Sequence, residues 1–487
     1  MTDTTSFPPP LRPRLAWTIS ATAALAHGAA WGVTEPRGPV TGAQAAAMLA
    51  TAALVGWGGG RLTGSRWAAA ALPLAHVIGF EVARSGGQLP TVGPPVLDSG
   101  FGVLAFVLGR LVPWSLAALP LAIGAGWGSR RTSRRPIALA AASVALVALA
   151  GWLVVPPSAG PVRAPGGFAE LVEVDLGGHR QWIQVRGTDR ANPVLLYLSG
   201  GPGQSDLAYS RVLLEPLLDD VTIVGWDQRG TGKSYPDLGE ASLTLAGAVD
   251  DVVELARQLT VRFDQPRIYL LGESWGSLLG VLAVQRAPEL FAAYVGSGQM
   301  VDVLAADKGI YADLVTTAMG RGDGALVAEL AKLGPPPYPS VFDYGRIMTL
   351  YPLLEGAYTP PQEYRARGDA ANVGPMGLMG PEYAPIEKLN VLRGLMDTFS
   401  VMYPQLQDVD LRESVTRLDV PVFVLCGDHE LAARTAPARQ WFDRLQAPRK
   451  QWHQLPDAGH SVAFERADVL RQRSEEHTSE LQSRFGI

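Results

Sequence analysis

The feature that most restricts the fold is a short motif, Gly-Glu-Ser-Trp-Gly at residues 272–276, which joins an apolar strand to an apolar helix. A serine at such a junction must sit on a sharp, strained turn, and the flanking glycines leave room for the backbone. The motif therefore predicts that Ser274 is a nucleophile exposed at the end of a buried strand. An ordinary glycine-rich turn is the alternative.

Apolar and β-branched runs alternate with helical stretches, such as 245–259 and 277–287, over the whole region that contains this motif. This alternation predicts a mostly parallel sheet with helices on both faces. In such a sheet the functional residues lie at the carboxyl ends of the strands. Strands are predicted at residues 171–176, 181–185, 194–198, 221–226, 267–271, 292–295, 420–425 and 451–455.

A base must accept the proton of the serine, since a hydroxyl alone is a poor nucleophile. His460 lies just past the last predicted strand, in the loop Asp-Ala-Gly-His-Ser, and is the best placed of the seven histidines. His429 is its only rival. The sequence therefore predicts that His460 is the base.

A carboxylate must hold the imidazole of that histidine in the correct tautomer. Asp428 closely follows the strand predicted at 420–425. The chain order Ser274, Asp428, His460 is the order expected when the serine lies on a strand-to-helix turn. Glu430 is the alternative acid.

Backbone N–H groups are expected to stabilise the oxyanion of a tetrahedral intermediate. One donor should be Trp275, which follows the serine. The other should come from the loop Ser-Gly-Gly-Pro-Gly at residues 199–203. Gly201 is the preferred donor in this loop and Gly200 the alternative. This chemistry needs no metal ion and no organic cofactor.

Three segments together resemble the proline iminopeptidase family of α/β-hydrolases: residues 199–203, the run Asp-Gln-Arg-Gly-Thr-Gly-Lys-Ser at 227–234, and 272–277. The family typically has HGGPG, DQRGxGxS and GxSWGS at these places. The resemblance covers about residues 168–472. It implies an α/β-hydrolase fold with a helical cap, and an aminopeptidase or amidase that releases N-terminal residues, often proline, from short peptides.

The resemblance also implies that Asp227 and Arg229 are structural and fix the loop beside the oxyanion hole; a surface ion pair is the alternative. Two positions depart from the family pattern, because Ser199 replaces the usual histidine and Glu273 stands where glycine is common.

The family binds the free amine of its substrate through carboxylates in the cap, which here would be residues 302–415. Four glutamates of this segment are available but cannot be matched to an amine site: Glu355, Glu363, Glu382 and Glu387. Small or membrane-derived esters are therefore the alternative substrates. A non-catalytic receptor or transport accessory that uses the same pocket is the alternative of another class.

Residues 1–160 differ sharply in composition from the rest of the chain. They contain eleven arginines, no lysine and four acids, a net charge of +7, whereas the remainder is net −12. An acidic remainder argues against nucleic acid as a partner, and the single cysteine, Cys426, excludes an intramolecular disulfide. Nearly uncharged apolar segments predict an all-α region of about five transmembrane helices, at 15–33, 41–60, 67–83, 101–128 and 136–155.

The arginines fall on alternate connections between these segments, which sets a predicted topology. The positive-inside rule places the N-terminus in the cytoplasm, and an odd number of spans then places the hydrolase domain outside the cytoplasm, on the plasma membrane of a bacterium. Glu81 and Arg110 are charges near membrane depth and are expected to pair or to reach the interface. A soluble helical domain is the alternative, although soluble helices normally keep a polar face.

The last residues, 473–487, begin with Arg-Ser-Glu-Glu-His-Thr-Ser-Glu-Leu-Gln-Ser, which resembles the translation of a sequencing adapter and is treated as a non-native tail. The predicted organisation is a transmembrane region at 1–156, a linker at 157–167, an α/β core at 168–301 and 416–472, and a cap at 302–415.

Overall fold

The computed structural model describes residues 12–130, 136–356, 358–371 and 373–471. The predicted non-native tail and the arginines at 131, 134 and 135 lie outside the described residues. The chain divides into two compact units. The first unit is Met1–Pro156 with Ala384–Glu387, and the second is the remainder.

The first unit has a helix at each of the five predicted apolar segments. The fourth helical run, Gly100–Gly128, is interrupted by one π-helical stretch at Val107–Leu111. The helices of this unit are α1 (Pro13–Thr34), α2 (Gly42–Thr63), α3 (Ala68–Ala83), α4 (Gly100–Phe106), α5 (Val112–Gly128) and α6 (Ile137–Leu153).

Length and composition support membrane crossing for only one helical run of the described residues. Gly100–Gly128 has a mean hydropathy of 1.7, while α3 and α6 are apolar but shorter. Helices α1 and α2 are long enough, but alanine, glycine and threonine make up much of them, and these residues are less hydrophobic than leucine or isoleucine. Five spans are thus not supported, because an uncharged segment is not necessarily a strongly hydrophobic one. The predicted placement of the hydrolase domain outside the cytoplasm depended on an odd number of spans, so it is not supported either.

The two charges expected to pair do so. Arg110 Nε lies 3.2 Å from Glu81 Oε2, and Trp114 Nε1 donates to Glu81 Oε1 at 3.0 Å. Arg110 Nη2 also donates to the carbonyl oxygens of Val92 and Gly93, at 3.1 and 2.7 Å. Protein groups therefore satisfy much of this buried charge, which favours a structural role.

The second unit is built on one eight-stranded sheet in the order β1-β2-β4-β3-β5-β6-β7-β8. Strand β2 is antiparallel to β1 and β4, and the other pairs are parallel. This is the α/β-hydrolase fold, and all eight predicted strands are present. The strands are β1 (Phe168–Leu176), β2 (His179–Gly187), β3 (Val194–Leu198), β4 (Thr222–Asp227), β5 (Ile268–Glu273), β6 (Phe291–Ser297), β7 (Val422–Gly427) and β8 (Lys450–Leu455).

Helices join these strands, and a helical segment lies between β6 and β7 where the cap was expected. The helices outside that segment are α7 (Leu207–Leu213), α8 (Leu245–Phe263), α9 (Trp275–Arg286), α17 (Ala432–Arg444) and α18 (Val462–Glu465). Within it are α10 (Val303–Gly320), α11 (Gly324–Leu333), α12 (Val341–Met348), α13 (Pro352–Glu355), α14 (Gln362–Ala371), α15 (Pro385–Met402) and α16 (Leu411–Ser414).

Helix α8 illustrates how the sequence sets these elements. The Thr244 hydroxyl accepts a hydrogen bond from Gly247 N at 3.0 Å, which caps the first turn. Val249, Val252 and Ala256 follow at helical spacing and are buried, so one stripe of the helix packs inward while the other faces carry charge.

Candidate active site

Ser274 lies on a strained turn between β5 and α9. Its backbone has φ 52° and ψ −117°, a conformation that residues with a Cβ rarely adopt. Its N–H donates to the carbonyl oxygen of Ser297 at 2.9 Å. Ser274 is partly exposed, whereas Glu273 and Trp275 on either side are buried. Of these three residues at the end of β5, Ser274 is therefore the one whose side chain is accessible.

The two glycines of the motif are required by close backbone contacts. A Cβ at Gly272 would lie 2.3 Å from the carbonyl oxygen of Gly276, and a Cβ at Gly276 would lie 2.2 Å from that of Leu198. These contacts involve backbone atoms, which cannot rotate away. The turn can therefore pass against the end of β3 only if both positions lack side chains.

The glycine-rich loop after β3 lies beside the serine, because β3 pairs with β5. A Cβ at Gly200 would lie 3.4 Å from the Cβ of Ser274. Burial raises the pKa of Asp206, and the nearby backbone N–H of Gly200 partly offsets this rise. Gly201 has φ +113°, in the region that favours glycine. Of the two expected donors in this loop, Gly200 is thus the one that interacts with Asp206.

Gln228 links the glycine-rich loop after β3 to the turn at Ser274. Its Oε1 accepts from Trp275 Nε1 at 2.9 Å, and its Nε2 donates to the carbonyl oxygen and the hydroxyl of Ser199 at 3.3 and 3.2 Å. Ser199, which replaces the histidine of the family pattern, thus contributes to a buried network. These bonds tie together the two segments that carry Gly201 and Trp275.

Asp227 and Arg229 are buried and do not form the surface ion pair considered as the alternative. Asp227 Oδ2 accepts from the backbone N–H of Lys233 at 2.8 Å, and its Oδ1 accepts from Tyr383 Oη at 3.1 Å. Arg229 Nη2 pairs with Asp251 Oδ1 at 2.7 Å. Asp227 thus fixes the loop after β4 through Lys233, and Arg229 attaches the same loop to Asp251 of α8.

His460 is paired with Glu430. The imidazole Nδ1 lies in a short contact with Glu430 Oε2, and the Glu430 side chain is only 4% exposed. Glu430 Oε1 accepts from Leu431 N at 2.8 Å and from Arg434 at 3.4 Å. Burial alone would raise the pKa of Glu430, but the charges of His460 and Arg434 and these hydrogen bonds lower it to about 2.

Asp428, predicted to be the partner of His460, does not occupy that position. Strand β7 ends at Gly427, and the Asp428 side chain is exposed next to it, with its backbone N–H bonded to the Leu455 carbonyl oxygen at 3.0 Å. The chain needs two more residues to turn toward the histidine loop. The alternative acid, Glu430, is therefore the one that reaches His460.

Ser274 and His460 both lie near the end of β6. A Cβ at Gly298 would lie 2.8 Å from His460 Cε1, and the preceding residue, Ser297, holds the backbone of Ser274. The Ser274 hydroxyl is directed to Met300 Sδ at 3.7 Å. His429, the rival base, is stacked on Tyr358 with ring centroids 4.4 Å apart.

Glu273 is a buried acid that the sequence marked only as a departure from the family pattern. Its Oε2 accepts from the Ser297 hydroxyl at 3.3 Å, and its carboxyl also lies near the side chain of Ser461. Burial raises the pKa of Glu273 to about 8. Glu273 adjoins Ser274 and Ser461 adjoins His460, so this contact brings the two predicted catalytic segments together.

The cap glutamates differ in their surroundings. Glu382 is fully buried and pairs with Arg211, and Glu387 accepts from the backbone N–H of Ala384 at 2.7 Å. Glu363 is exposed and Glu355 partly so. Glu382 and Glu387 thus have structural partners. The contacts of the four cap glutamates do not identify any of them as the group that binds a substrate amine.

Comparisons with known proteins agree with this architecture. Residues 193–317 match a family model described as the alpha/beta hydrolase fold. The probable aminopeptidase YbaC of Bacillus subtilis is 28% identical over 311 residues, which is 64% of this chain and 96% of the relative. A proline iminopeptidase of Xylella fastidiosa is 33% identical over 128 residues, 25% of this chain and 39% of the relative.

A solved structure, the proline iminopeptidase-related protein from Thermus thermophilus, is similar at 22% identity with a TM-score of 0.44; the match covers 63% of this chain and 96% of the other. The chain thus has the α/β-hydrolase fold, and its homologues include a probable aminopeptidase and proline iminopeptidases.

Proposed function

We propose that this protein is a serine hydrolase that removes N-terminal residues from short peptides through an acyl-enzyme formed on Ser274. The observation that carries the proposal is the strained turn at Ser274, which lies between the loop of Gly201 and the His460–Glu430 pair. The similarity to an aminopeptidase along nearly all of that relative's length supports the peptide substrate.

In the first step the Ser274 hydroxyl turns from Met300 toward His460 and attacks the carbonyl carbon of the substrate. His460 Nε2 accepts the hydroxyl proton, and the ionised Glu430 stabilises the imidazolium that results. The backbone N–H groups of Trp275 and Gly201 donate to the negative oxygen of the tetrahedral intermediate. The lowered pKa of Glu430 keeps its carboxylate charged throughout the neutral range.

In the second step the C–N bond breaks and His460 gives its proton to the departing amine. The acyl group stays on Ser274 Oγ as an ester. His460 then takes a proton from a water molecule that attacks this ester. The bond between Ser274 Oγ and the acyl carbon breaks, His460 gives this proton to Ser274 Oγ, and the acid product leaves. The enzyme thus ends in its starting state.

The assignment of Ser274 is tested by labelling the full-length protein with a fluorophosphonate probe. Ser274→Ala is expected to abolish labelling and hydrolysis. Ser414→Ala, which changes an exposed serine of α16, is the matched control and should be labelled like the wild type. Equal labelling of the Ser274 variant would overturn the assignment.

The substrate class is tested by comparing three chromogenic substrates: proline p-nitroanilide, its N-acetylated form, and p-nitrophenyl butyrate. An aminopeptidase should cleave the free-amine anilide with the highest kcat/KM and should lose most of this activity when the amine is acetylated. A higher kcat/KM for the butyrate, with no effect of acetylation, would instead favour the ester alternative.

We also propose that the first unit associates with a lipid bilayer. Large apolar side chains on its helices are strongly exposed, among them Val33, Ile137 and Val147 at 71, 78 and 73%. In the described part of the second unit, the most exposed large hydrophobic residues are Val261, Met319 and Met379, at 83, 66 and 63%. Soluble proteins rarely leave such extended apolar surface in water.

Membrane association is tested by extracting cell membranes with alkaline carbonate. The full chain should stay in the pellet, and its appearance in the supernatant would contradict the proposal. The side of the membrane on which the hydrolase unit lies stays a prediction; if that unit is outside the cytoplasm, protease added to intact cells should digest it.

A further inference from the structure

The histidine loop is flanked by buried carboxyl groups on both sides of His460. On one side, Gly459 N donates to Glu465 Oε2 at 2.6 Å. On the other side, the Ser461 side chain lies close enough to the carboxyl of Glu273 to lower its pKa. Glu273 is also the residue before Ser274. One carboxyl group therefore adjoins Ser274 in the chain and the neighbour of His460 in space.

A second connection runs through the end of β6. Ser297 Oγ accepts from Ala463 N at 3.0 Å and donates to Glu273 Oε2 at 3.3 Å. The carbonyl oxygen of the same residue accepts from Ser274 N at 2.9 Å. The turn at Ser274, the end of β6 and the start of α18 thus meet at Ser297, whose hydroxyl donates to Glu273.

We propose that Glu273 is a positioning residue that acts as a neutral carboxylic acid and holds Ser274 and His460 at a fixed separation. The proposal rests on the function proposed above and extends it to a residue that does not touch the substrate.

The surroundings of Glu273 favour the neutral form. The side chain is almost fully buried, and the titratable groups that interact with it are acids and phenols: Asp206, Glu465, Tyr197 and Tyr364. An ionised carboxylate here would lose its hydration and be repelled by its acidic neighbours. Burial accordingly raises the pKa of Glu273 to about 8.

The hydrogen bonds act in the opposite direction but are outweighed. The Ser297 hydroxyl donates to Glu273 Oε2, and this bond and the contact with Ser461 lower the pKa of Glu273, whereas burial and the charges of Asp206 and Glu465 raise it. Ionisation would add a negative charge near Glu465, which holds the other side of the histidine loop.

The test compares Glu273→Gln, Glu273→Leu and the wild type, with Glu413→Gln as a control on an exposed glutamate. Full-length proteins are labelled with a fluorophosphonate between pH 6 and pH 10, and kcat and KM are measured on the best substrate. Glutamine keeps the shape and one donor but cannot ionise, whereas leucine keeps only the bulk.

At pH 7 Glu273→Gln should be labelled within about threefold of the wild-type rate. Glu273→Leu should lose about 100-fold in kcat with KM nearly unchanged, the size of effect expected for a misplacement of about 1 Å. The wild type should lose activity above about pH 8 as Glu273 ionises, and this loss should be absent in Glu273→Gln.

The proposal is overturned if Glu273→Leu reacts at the wild-type rate, if Glu273→Gln is as impaired as Glu273→Leu, or if both show the same alkaline loss as the wild type. If Glu273→Leu does not fold, the pH comparison of wild type and Glu273→Gln decides alone. Absence of labelling in the wild type would instead contradict the proposed function.

Discussion

Nδ1 of His460 is in contact with the carboxylate of Glu430, while Asp428, two residues earlier in the chain, has its side chain in solvent. The two acids lie in one short loop after β7, and only one can orient the imidazole. A glutamate in this role has one more methylene than an aspartate. Its additional hydrogen bonds from Leu431 and Arg434 fix the longer side chain.

Substitution of these two acids should therefore have very different effects. Glu430→Gln removes the charge that would stabilise the imidazolium and should lower kcat by about 10⁴-fold, as loss of the acid does in the Ser-His-Asp triad. Asp428→Asn should stay within about twofold. Steady-state kinetics of both variants at pH 7 measure the contrast, and a large loss in Asp428→Asn with little in Glu430→Gln would reverse the assignment.

The positions of the strands could be predicted from the sequence because each is a short apolar run bounded by turn residues. The turn at Ser274 could be predicted too, since the motif constrains the backbone on both sides. The partner of His460 could not be fixed, because Asp428 and Glu430 lie in the same loop. The choice depends on how far the chain runs after β7 before it turns, and that distance has no local signature.

The buried contacts of Glu273 could not be predicted from the sequence either. Its partners Ser297 and Ser461 are distant in the chain and become neighbours only when β5 and β6 pair and the histidine loop closes over them. In the first unit the helices were predicted correctly from their lack of charge. Among the described residues, membrane crossing is supported for only one helical run, Gly100–Gly128, because hydropathy depends on which uncharged residues are present.

Gly276 should tolerate no side chain. An added Cβ would lie 2.2 Å from the backbone oxygen of Leu198, so the nucleophile turn or β3 must shift. Gly276→Ala should lose fluorophosphonate labelling and lower the thermal midpoint, with an overpacking cost of about 1–3 kcal/mol.

Gly368 provides a matched control for this substitution. It lies in the helix α14, and a Cβ there would meet no atom within 4 Å. Gly368→Ala should leave labelling unchanged and raise the thermal midpoint slightly, because alanine favours the helix by about 0.5–1 kcal/mol. Equal effects of the two substitutions would show that the contact with Leu198 does not constrain the turn.

The ion pair between Arg229 and Asp251 should show strong coupling. Both side chains are over 90% buried, and Gln181 Nε2 also donates to Asp251 at 2.8 Å. Arg229→Met leaves a buried charge without its partner and should cost about 3–5 kcal/mol of unfolding free energy. The double variant with Asp251→Asn should recover part of this loss. Urea denaturation of the four proteins gives the coupling energy, and simple additivity would contradict the prediction.

The raised pKa of Glu273 should also appear in the stability of the protein. Between the ordinary pKa of 4.5 and the folded value of about 8, the folded state holds a proton that the unfolded state has released. By linkage, the wild type therefore loses stability as the pH rises through this window. Glu273→Gln carries no such proton. The thermal midpoint of Glu273→Gln minus that of the wild type should rise from pH 4.5 to pH 8 and level off above it. A difference that stays constant or falls over this range would mean that Glu273 is already ionised in the folded protein at neutral pH.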